Sequence, residues 1–434
     1  MDIYVVQPGD TIDSIAALYG VAANRLIQDN GLKNPFDLVQ GQTIVIARPS
    51  KEHTVQEGDT VAGIASLYGV TVMQLLRNNS FLNDREYIIP GETLVISYPA
   101  EREIAAIGYT YPFIREDILR RTLPYLTYLS VLNYRASDEG VVTTYSDDTE
   151  IVRIAKEFGT IPLAMLTTLS AQGEADLNVA YKLLLNVEYQ EKQLDNLINI
   201  MREKGYLGAN FVFYFINTDN QALYEGFLKR VNDRLTREGF LVFVTINFQA
   251  EHKDGEIVIE KIDYAAIARL VNQIVFLRFI WGVNYGPPEP VSSIQNIQAL
   301  MEYVIPMVSP DKIMVAKPTI AYDWTLPYPQ GNQGANSITL DVAIAIANDY
   351  DATIQLDESS ATPFYNYTQS GVGTPTEHIV WSLDARSIEA LLDLISEYGL
   401  YGMGIWNIMV FNQQIWTVVI SGNDIIKLLP DNIG

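Results

Sequence analysis

Apolar and polar positions beyond residue 100 form two kinds of segment. Short runs of β-branched and aromatic residues predict buried strands, and longer stretches with an apolar residue every three to four positions, such as 188–204 and 221–238, predict amphipathic helices. The predicted strands are 104–110, 128–134, 161–166, 210–215, 241–246, 274–279, 313–318 and 402–406. Eight strand–helix units predict an α/β fold, a (β/α)8 TIM barrel. A stretch rich in Tyr, Thr, Gly and Pro at about 323–381 predicts a small α+β insertion.

The first hundred residues contain an internal repeat. Tyr4-Val-Val-Gln-Pro-Gly-Asp-Thr-Ile returns 49 positions later as His53-Thr-Val-Gln-Glu-Gly-Asp-Thr-Val. In each copy the Gly-Asp turn precedes an amphipathic helix that ends at a glycine, Gly20 or Gly69, as a left-handed C-cap requires. A second short helix and a closing β-branched strand complete a predicted β-α-α-β unit. The chain is therefore expected to divide into residues 1–49, 50–99 and 100–434.

Both copies resemble a LysM domain nearly from end to end. This resemblance implies binding to polymers that contain N-acetylglucosamine, namely peptidoglycan or chitin, and two weak modules in tandem gain by avidity. It places the ligand groove between the Gly-Asp-Thr loop and the loop before the last strand. The glycan contacts implied are Asp10, Thr11, Ile12, Asn30 and Leu32 in copy one, and Asp59, Thr60, Val61, Asn79 and Phe81 in copy two. The alternative is structural, because Asp and Thr also cap helices and Asn also suits turns.

Charge and composition exclude several classes of partner. The chain of 434 residues carries 29 basic and 52 acidic side chains, a net charge of −23, which disfavours nucleic acid and anionic membranes. With no cysteine and three scattered histidines (His53, His252 and His378), we expect no metal site and no cofactor. No apolar run is long enough to span a membrane, and no signal peptide is visible at the N-terminus.

A second resemblance covers the long C-terminal region. Six segments occur in the order typical of glycoside hydrolase family 18: Ser170-Ala-Gln-Gly, residues 205–215, Trp281-Gly, Tyr322-Asp-Trp-Thr-Leu-Pro-Tyr, Leu383-Asp-Ala-Arg-Ser and Gly404-Ile-Trp406. Together with the repeats, the chain resembles the LysM-bearing spore cortex-lytic N-acetylglucosaminidases of spore-forming bacteria. The resemblance implies association with a spore or cell wall. It also implies that Trp406, at the end of strand eight, is a stacking platform for sugar.

The acidic motif of this family is absent from strand four. Aligned with Asp-Gly-x-Asn/Asp-x-Asp-x-Glu, the chain reads Leu207-Gly-Ala-Asn210-Phe-Val212-Phe-Tyr214. The family uses the acetamide oxygen of the substrate as nucleophile. Its proton-donating Glu is replaced here by Tyr214, its acetamide-orienting Asp by Val212, and its strand-six Tyr by Phe279. Because side chains alternate along a strand, Asn210, Val212 and Tyr214 share one face. The resemblance implies that this face lines the lumen and that Phe211, Phe213 and Phe215 face the helix layer.

These residues are compatible with two functions. The first is a peptidoglycan-binding pseudoenzyme of the spore or cell envelope with no catalytic residues, serving in binding, as a scaffold or in assembly with itself or an envelope partner. The second is a divergent cortex-lytic N-acetylglucosaminidase with a displaced acid, for which Asp219, Glu251 and Asp323 are candidates because they follow strands four, five and seven. We expect the first, because a tyrosine holds its proton too tightly to replace a glutamic acid.

Overall fold

The computed structural model describes residues 1–85, 87–137, 139–168, 176–278, 286–328, 334–370 and 375–431. Each N-terminal repeat forms two short helices between two antiparallel strands. Copy one consists of β1 (Asp2–Val5), α1 (Ile12–Tyr19), α2 (Ala23–Asn30) and β2 (Thr43–Ile46). Copy two consists of β3 (Lys51–Thr54), α3 (Val61–Tyr68), α4 (Val72–Asn78) and β4 (Thr93–Ser97). The first helix of each copy ends at a left-handed Gly C-cap, as the sequence predicts, but its N-cap is Thr11 or Thr60 and not the adjacent Asp10 or Asp59.

Eight parallel strands close into a barrel, which confirms the predicted fold. They are β5 (Arg102–Thr110), β6 (Tyr128–Ala136), β8 (Ile161–Thr167), β9 (Gly208–Phe213), β10 (Leu241–Ile246), β13 (Gln273–Leu277), β14 (Ile313–Pro318) and β20 (Gly402–Trp406). Closure is complete because β5 pairs with both β6 and β20. Strand four begins and ends two residues earlier than predicted, since Gly208 already pairs with Leu163 and Leu241 on its neighbours.

Helices cover the outside of the barrel, and short strands extend its ends. The helices are α5 (Glu116–Thr122), α6 (Thr149–Glu157), α7 (Leu177–Leu185), α8 (Val187–Lys204), α9 (Gln221–Leu235), α10 (Tyr264–Ala268), α11 (Ile294–Val304), α13 (Ala385–Tyr398) and α14 (Gln413–Ile420). The added strands are β7 (Val142–Thr144), the hairpin of β11 (Ala250–Lys253) and β12 (Glu256–Ile259), and β21 (Asn423–Ile425). No helix among the described residues is long and apolar enough to cross a membrane.

The predicted insertion is a five-stranded antiparallel sheet with one helix. The strands lie in the order β16-β15-β19-β18-β17. They are β15 (Ala321–Leu326), β16 (Asn336–Ile338), β17 (Gln355–Asp357), β18 (Thr362–Gln369) and β19 (Thr376–Trp381), with α12 (Leu340–Asp349) between β16 and β17. Small residues of α12, Ala343 and Ala347, pack against Tyr365 and Val380 of the sheet, so the insertion has a core of its own.

Both repeats are docked onto the barrel through α14 and its neighbours. From copy one, the backbone carbonyl of Asp29 accepts a hydrogen bond from Thr417 (2.6 Å). From copy two, Arg77 forms an ion pair with Asp424, and Ser80 hydrogen-bonds to Gln413. These buried polar contacts fix each repeat against the barrel.

Candidate functional site

The residues of strand four divide between the two faces of the barrel wall. Val212 and Tyr214 belong to the cluster that fills the lumen, and Leu207 packs against that cluster. Phe211 and Phe213 instead face the helix layer. Their rings lie 5.6 Å and 4.4 Å from rings of α9, those of Phe227 and Tyr224. Phe215 departs from the prediction: it packs partly against the lumen cluster, because the strand has ended at Phe213 and the alternation no longer applies.

Asn210 belongs to a neutral hydrogen-bonded layer across the lumen. Its amide nitrogen donates to Ser130 Oγ (3.0 Å), and its amide oxygen accepts from Thr245 Oγ1 (3.0 Å). The Tyr109 hydroxyl lies 2.8 Å from the same Thr245 oxygen. All four side chains are buried. The layer contains no ionised group, so its buried polar atoms are paired without any charge.

The two positions predicted to correspond to the family acids are buried among apolar neighbours. Val212 is 8% exposed and Tyr214 is 6% exposed. Burial beside Tyr111 and Tyr109 raises the pKa of Tyr214 well above its usual value, so its phenol keeps its proton at neutral pH. The only carboxylate on the eight described barrel strands is Glu103, an exposed residue at the start of the first strand. These strands therefore offer no general acid to a ligand at the barrel mouth.

Trp406 lies in a row of aromatic side chains at the C-terminal ends of β5 and β20. Its ring is 5.2 Å from that of Tyr109 and 6.3 Å from that of Tyr111. The Tyr111 ring in turn stacks on Phe113 at 5.3 Å, and Phe113 is 68% exposed. Of this row only Trp406 was predicted to contact sugar, although the aromatic alternation Tyr-Thr-Tyr-Pro-Phe at a strand end also indicates its neighbours.

The candidate displaced acids lie in different surroundings. Asp219 is exposed just before α9, and Glu251 is exposed in the β11–β12 hairpin. Asp323 is buried in the insertion, where it accepts hydrogen bonds from His378 Nδ1 (2.9 Å) and the Tyr367 hydroxyl (2.8 Å). The suggestion that Asp323 reaches a sugar is therefore corrected, because both of its oxygens serve the core of the insertion.

Some predicted positions lie outside the described residues. These are Phe279, the strand-six member of the degenerate motif, and the segments that begin at Ser170 and Trp281.

The polar residues predicted for the two LysM grooves also form hydrogen bonds within the Gly-Asp-Thr loop that precedes the first helix. Thr11 and Thr60 are exposed and cap the following helices through their side-chain oxygens. Asp10 accepts from the Gln7 backbone N–H (2.7 Å) and the Tyr4 hydroxyl (2.7 Å). In copy two, Asp59 accepts from the Gln56 backbone N–H (2.7 Å) and from His53 Nε2 (2.8 Å). These residues keep an exposed edge and stay predicted glycan contacts.

The two predicted groove asparagines have a structural role within each copy. Asn79 is buried, donates to the carbonyls of Leu75 and Val95, and accepts from the Val95 N–H. Asn30 makes the equivalent three bonds in copy one and accepts a fourth from Gln414. Each amide joins the second helix to the last strand, so both asparagines have a structural role.

The apolar groove residues are mainly core residues. Ile12 is buried in the core of copy one, so its assignment as a glycan contact is also corrected. Leu32, Val61 and Phe81 are partly buried against the cores of their own copies, which leaves each an exposed edge for a ligand.

Comparison with known proteins agrees with this architecture. The family model for glycosyl hydrolases family 18 matches residues 132–409, and that for the LysM domain matches residues 4–47 and 53–97. The chain belongs to family 18 of the glycosyl hydrolases and carries two LysM domains.

Its relatives match over nearly the whole length of both chains. The cortical fragment-lytic enzyme of Bacillus subtilis (strain 168) is 34% identical over 435 residues, covering 98% of this chain and 99% of that protein. The protein of the same name from Bacillus anthracis is 30% identical with the same coverage. The crystal structure of the Bacillus megaterium QM B1551 spore cortex-lytic enzyme SleL superposes with a TM-score of 0.79 at 30% identity, covering 98% of this chain and 99% of that one.

Proposed function

We propose that this protein binds spore cortex peptidoglycan through its LysM domains, and that its barrel does not cleave the glycan by the substrate-assisted mechanism of family 18. Three kinds of observation support the binding half: two complete LysM domains, exposed polar residues at both grooves, and full-length relatives named for lysis of spore cortex. The same relatives support association with the spore of a spore-forming bacterium.

The loss of cleavage rests on one observation. Val212 and Tyr214 lie in the lumen, and by sequence they correspond to the Asp and Glu of the family motif. Without the acid, the leaving oxygen receives no proton, which typically costs about 10²–10⁴ in rate. Without the orienting carboxylate, the acetamide oxygen is not held for attack, which lowers the rate further though not additively.

A second candidate function is a divergent cortex-lytic N-acetylglucosaminidase. The names of the relatives favour it over a purely binding function, because those names describe lysis and the match covers 98% of this chain. It requires a carboxylate from outside the barrel strands. Asp219 and Glu251 are the exposed candidates on loops that follow strands four and five.

One experiment separates the two functions. Purified protein is incubated at length with insoluble spore cortex peptidoglycan. Bound protein is measured by pull-down, and soluble fragments are measured by mass spectrometry. We expect binding without new reducing ends. Cleavage that persists in Tyr214→Phe but disappears in Asp219→Asn or Glu251→Gln would establish the second function and overturn the first.

A triple variant tests whether the barrel mouth still admits a glycan. Val212→Asp, Tyr214→Glu and Phe279→Tyr together restore the family residues. We expect slow cleavage, together with a stability loss on the order of several kcal/mol, because two carboxylates enter an apolar lumen. A folded triple variant without cleavage would mean that the mouth has closed as well as lost its acids. Circular dichroism and the single Tyr214→Phe variant control for folding.

A further inference from the structure

A cleft of about 330 Å³ lies between LysM copy one and the barrel. One wall is the loop of copy one from Asn30 to Thr43, and the other is α12 of the insertion. The floor is formed by Ser382–Asp384 and by Asn412–Ile415 at the start of α14. This volume is at the lower end of the range for small-ligand sites, which is about 300–1,000 Å³. We call it the LysM–insertion cleft.

The walls of this cleft are held together by specific contacts. Ile354 N–H donates to the Gln40 carbonyl (2.9 Å), and Asn348 donates to Asp37 (2.7 Å). Gly41 lies so close to the insertion that a Cβ there would be 1.9 Å from the Ile354 oxygen. A cleft held in this way is preorganised, so a ligand need not bear the cost of ordering its walls.

The cleft is polar, and two of its four carboxylates are ion-paired. Of its four carboxylates, Asp341 is paired with Lys33 (2.5 Å), Asp384 with Arg386 (2.6 Å), and Asp37 with the Asn348 amide. Lys33, the only cation in the lining, is therefore already paired, which disfavours phosphate or another anion. A neutral ligand suits this electrostatic environment best.

Side-chain amides supply the hydrogen-bonding capacity for such a ligand. Gln42 accepts from Val39 N–H with its amide oxygen, and Asn412 accepts from Ile415 N–H with its own. The amide nitrogen of each makes no hydrogen bond to a described residue, so each has two donors for hydroxyl or acetamido oxygens. Apolar side chains such as Leu32, Ile344 and Ile354 complete the lining. Amide donors beside apolar surface match a neutral N-acetylated sugar.

We infer that the LysM–insertion cleft binds an N-acetylhexosamine unit of the glycan held by LysM copy one, so that this copy and the barrel form one extended site. The inference rests on the proposed glycan binding by the LysM domains. Leu32 lines the cleft and is also a predicted groove residue, which makes the two sites contiguous. Copy two has no equivalent extension among the described residues: a Cβ on Gly91, the counterpart of Gly41, would meet nothing within 4 Å.

The test uses a substitution that fills the cleft and leaves the hydrogen bonds and ion pairs between its walls in place. Ala345 is exposed, lines the cleft and lies on α12, so Ala345→Trp is expected to block it. Val342 is exposed on the same helix outside the cleft lining, so Val342→Trp is the matched control. Titration calorimetry of the full chain with an N-acetylglucosamine tetramer should show affinity about tenfold weaker for Ala345→Trp and unchanged for Val342→Trp.

A second measurement locates the ligand directly. Hydrogen exchange of the wild-type chain with the tetramer should show protection in both the 30–43 loop and α12. Binding that Ala345→Trp leaves unchanged, with protection confined to the LysM loops, would overturn the cleft and leave the proposed LysM function intact. No binding by the wild-type chain would overturn both. Weakening seen only with a peptide-bearing fragment would overturn the assignment to a sugar unit.

Discussion

The two LysM copies share one fold, yet the barrel uses them differently. Copy one packs its 30–43 loop against the insertion, while the corresponding loop of copy two has no such wall around Gly91. Copy two instead inserts Arg77 towards Asp424 of β21. The repeated residues therefore build the fold of each module. The barrel surface beside each module decides which residues of that module contact the barrel.

The largest difference is expected at the paired glycines. Gly41 and Gly91 have positive φ angles of 84° and 92°, so alanine strains both. Only Gly41→Ala also overlaps the Ile354 carbonyl. We expect Gly91→Ala to cost about 1 kcal/mol and Gly41→Ala about 3 kcal/mol or more. Thermal unfolding checks this, and equal losses at the two sites would contradict the docking of copy one.

The paired asparagines should differ less. Asn30→Ala and Asn79→Ala each remove three bonds between a helix and the last strand. We expect each to lower the free energy of unfolding by about 2 kcal/mol, because buried backbone groups lose their partners. Asn30→Ala should lose slightly more, since it also releases Gln414.

Denaturant unfolding and glycan pull-down together test this prediction. A variant of normal stability that no longer binds glycan would restore the asparagine to the groove and contradict the structural role assigned here.

The smallest effect is expected at Tyr4 and His53, which occupy equivalent positions. The hydrogen bond from the Gln56 N–H has the largest effect on Asp59 and the hydrogen bond with His53 the second largest, and both lower the pKa of Asp59 below its usual value. A lowered folded pKa contributes stability that is present above the unfolded value of about 3.9 and is lost as pH falls through the folded value. His53→Tyr removes the contribution of His53, so its stability should fall less on acidification than that of the wild type. Unfolding midpoints at neutral pH and at about pH 3 measure this.

The reciprocal change provides the control. Tyr4→His should give copy one the acid dependence of copy two. Identical acid profiles for all three proteins would show that the histidine does not distinguish the modules.

The barrel and the LysM copies were predictable because their signals are periodic. All eight predicted strands are present, and strand alternation together with the family resemblance correctly placed Val212 and Tyr214 in the lumen and Phe211 and Phe213 against the helices. The alternation failed at Phe215, where the strand has ended. The aromatic neighbours of Trp406 come from a strand distant in sequence, so their meeting depends on barrel closure.

The sequence by itself determined the module order, the (β/α)8 fold and the absence of acidic residues from strand four, because each depends on local period or on residue identity. Only the tertiary structure decided that Asn30 and Asn79 join helix to strand and that Asp323 is engaged within the insertion. It also decided that a cleft separates copy one from α12. These features depend on which surfaces meet after folding, and residues up to several hundred positions apart carry no local pattern that records such a meeting.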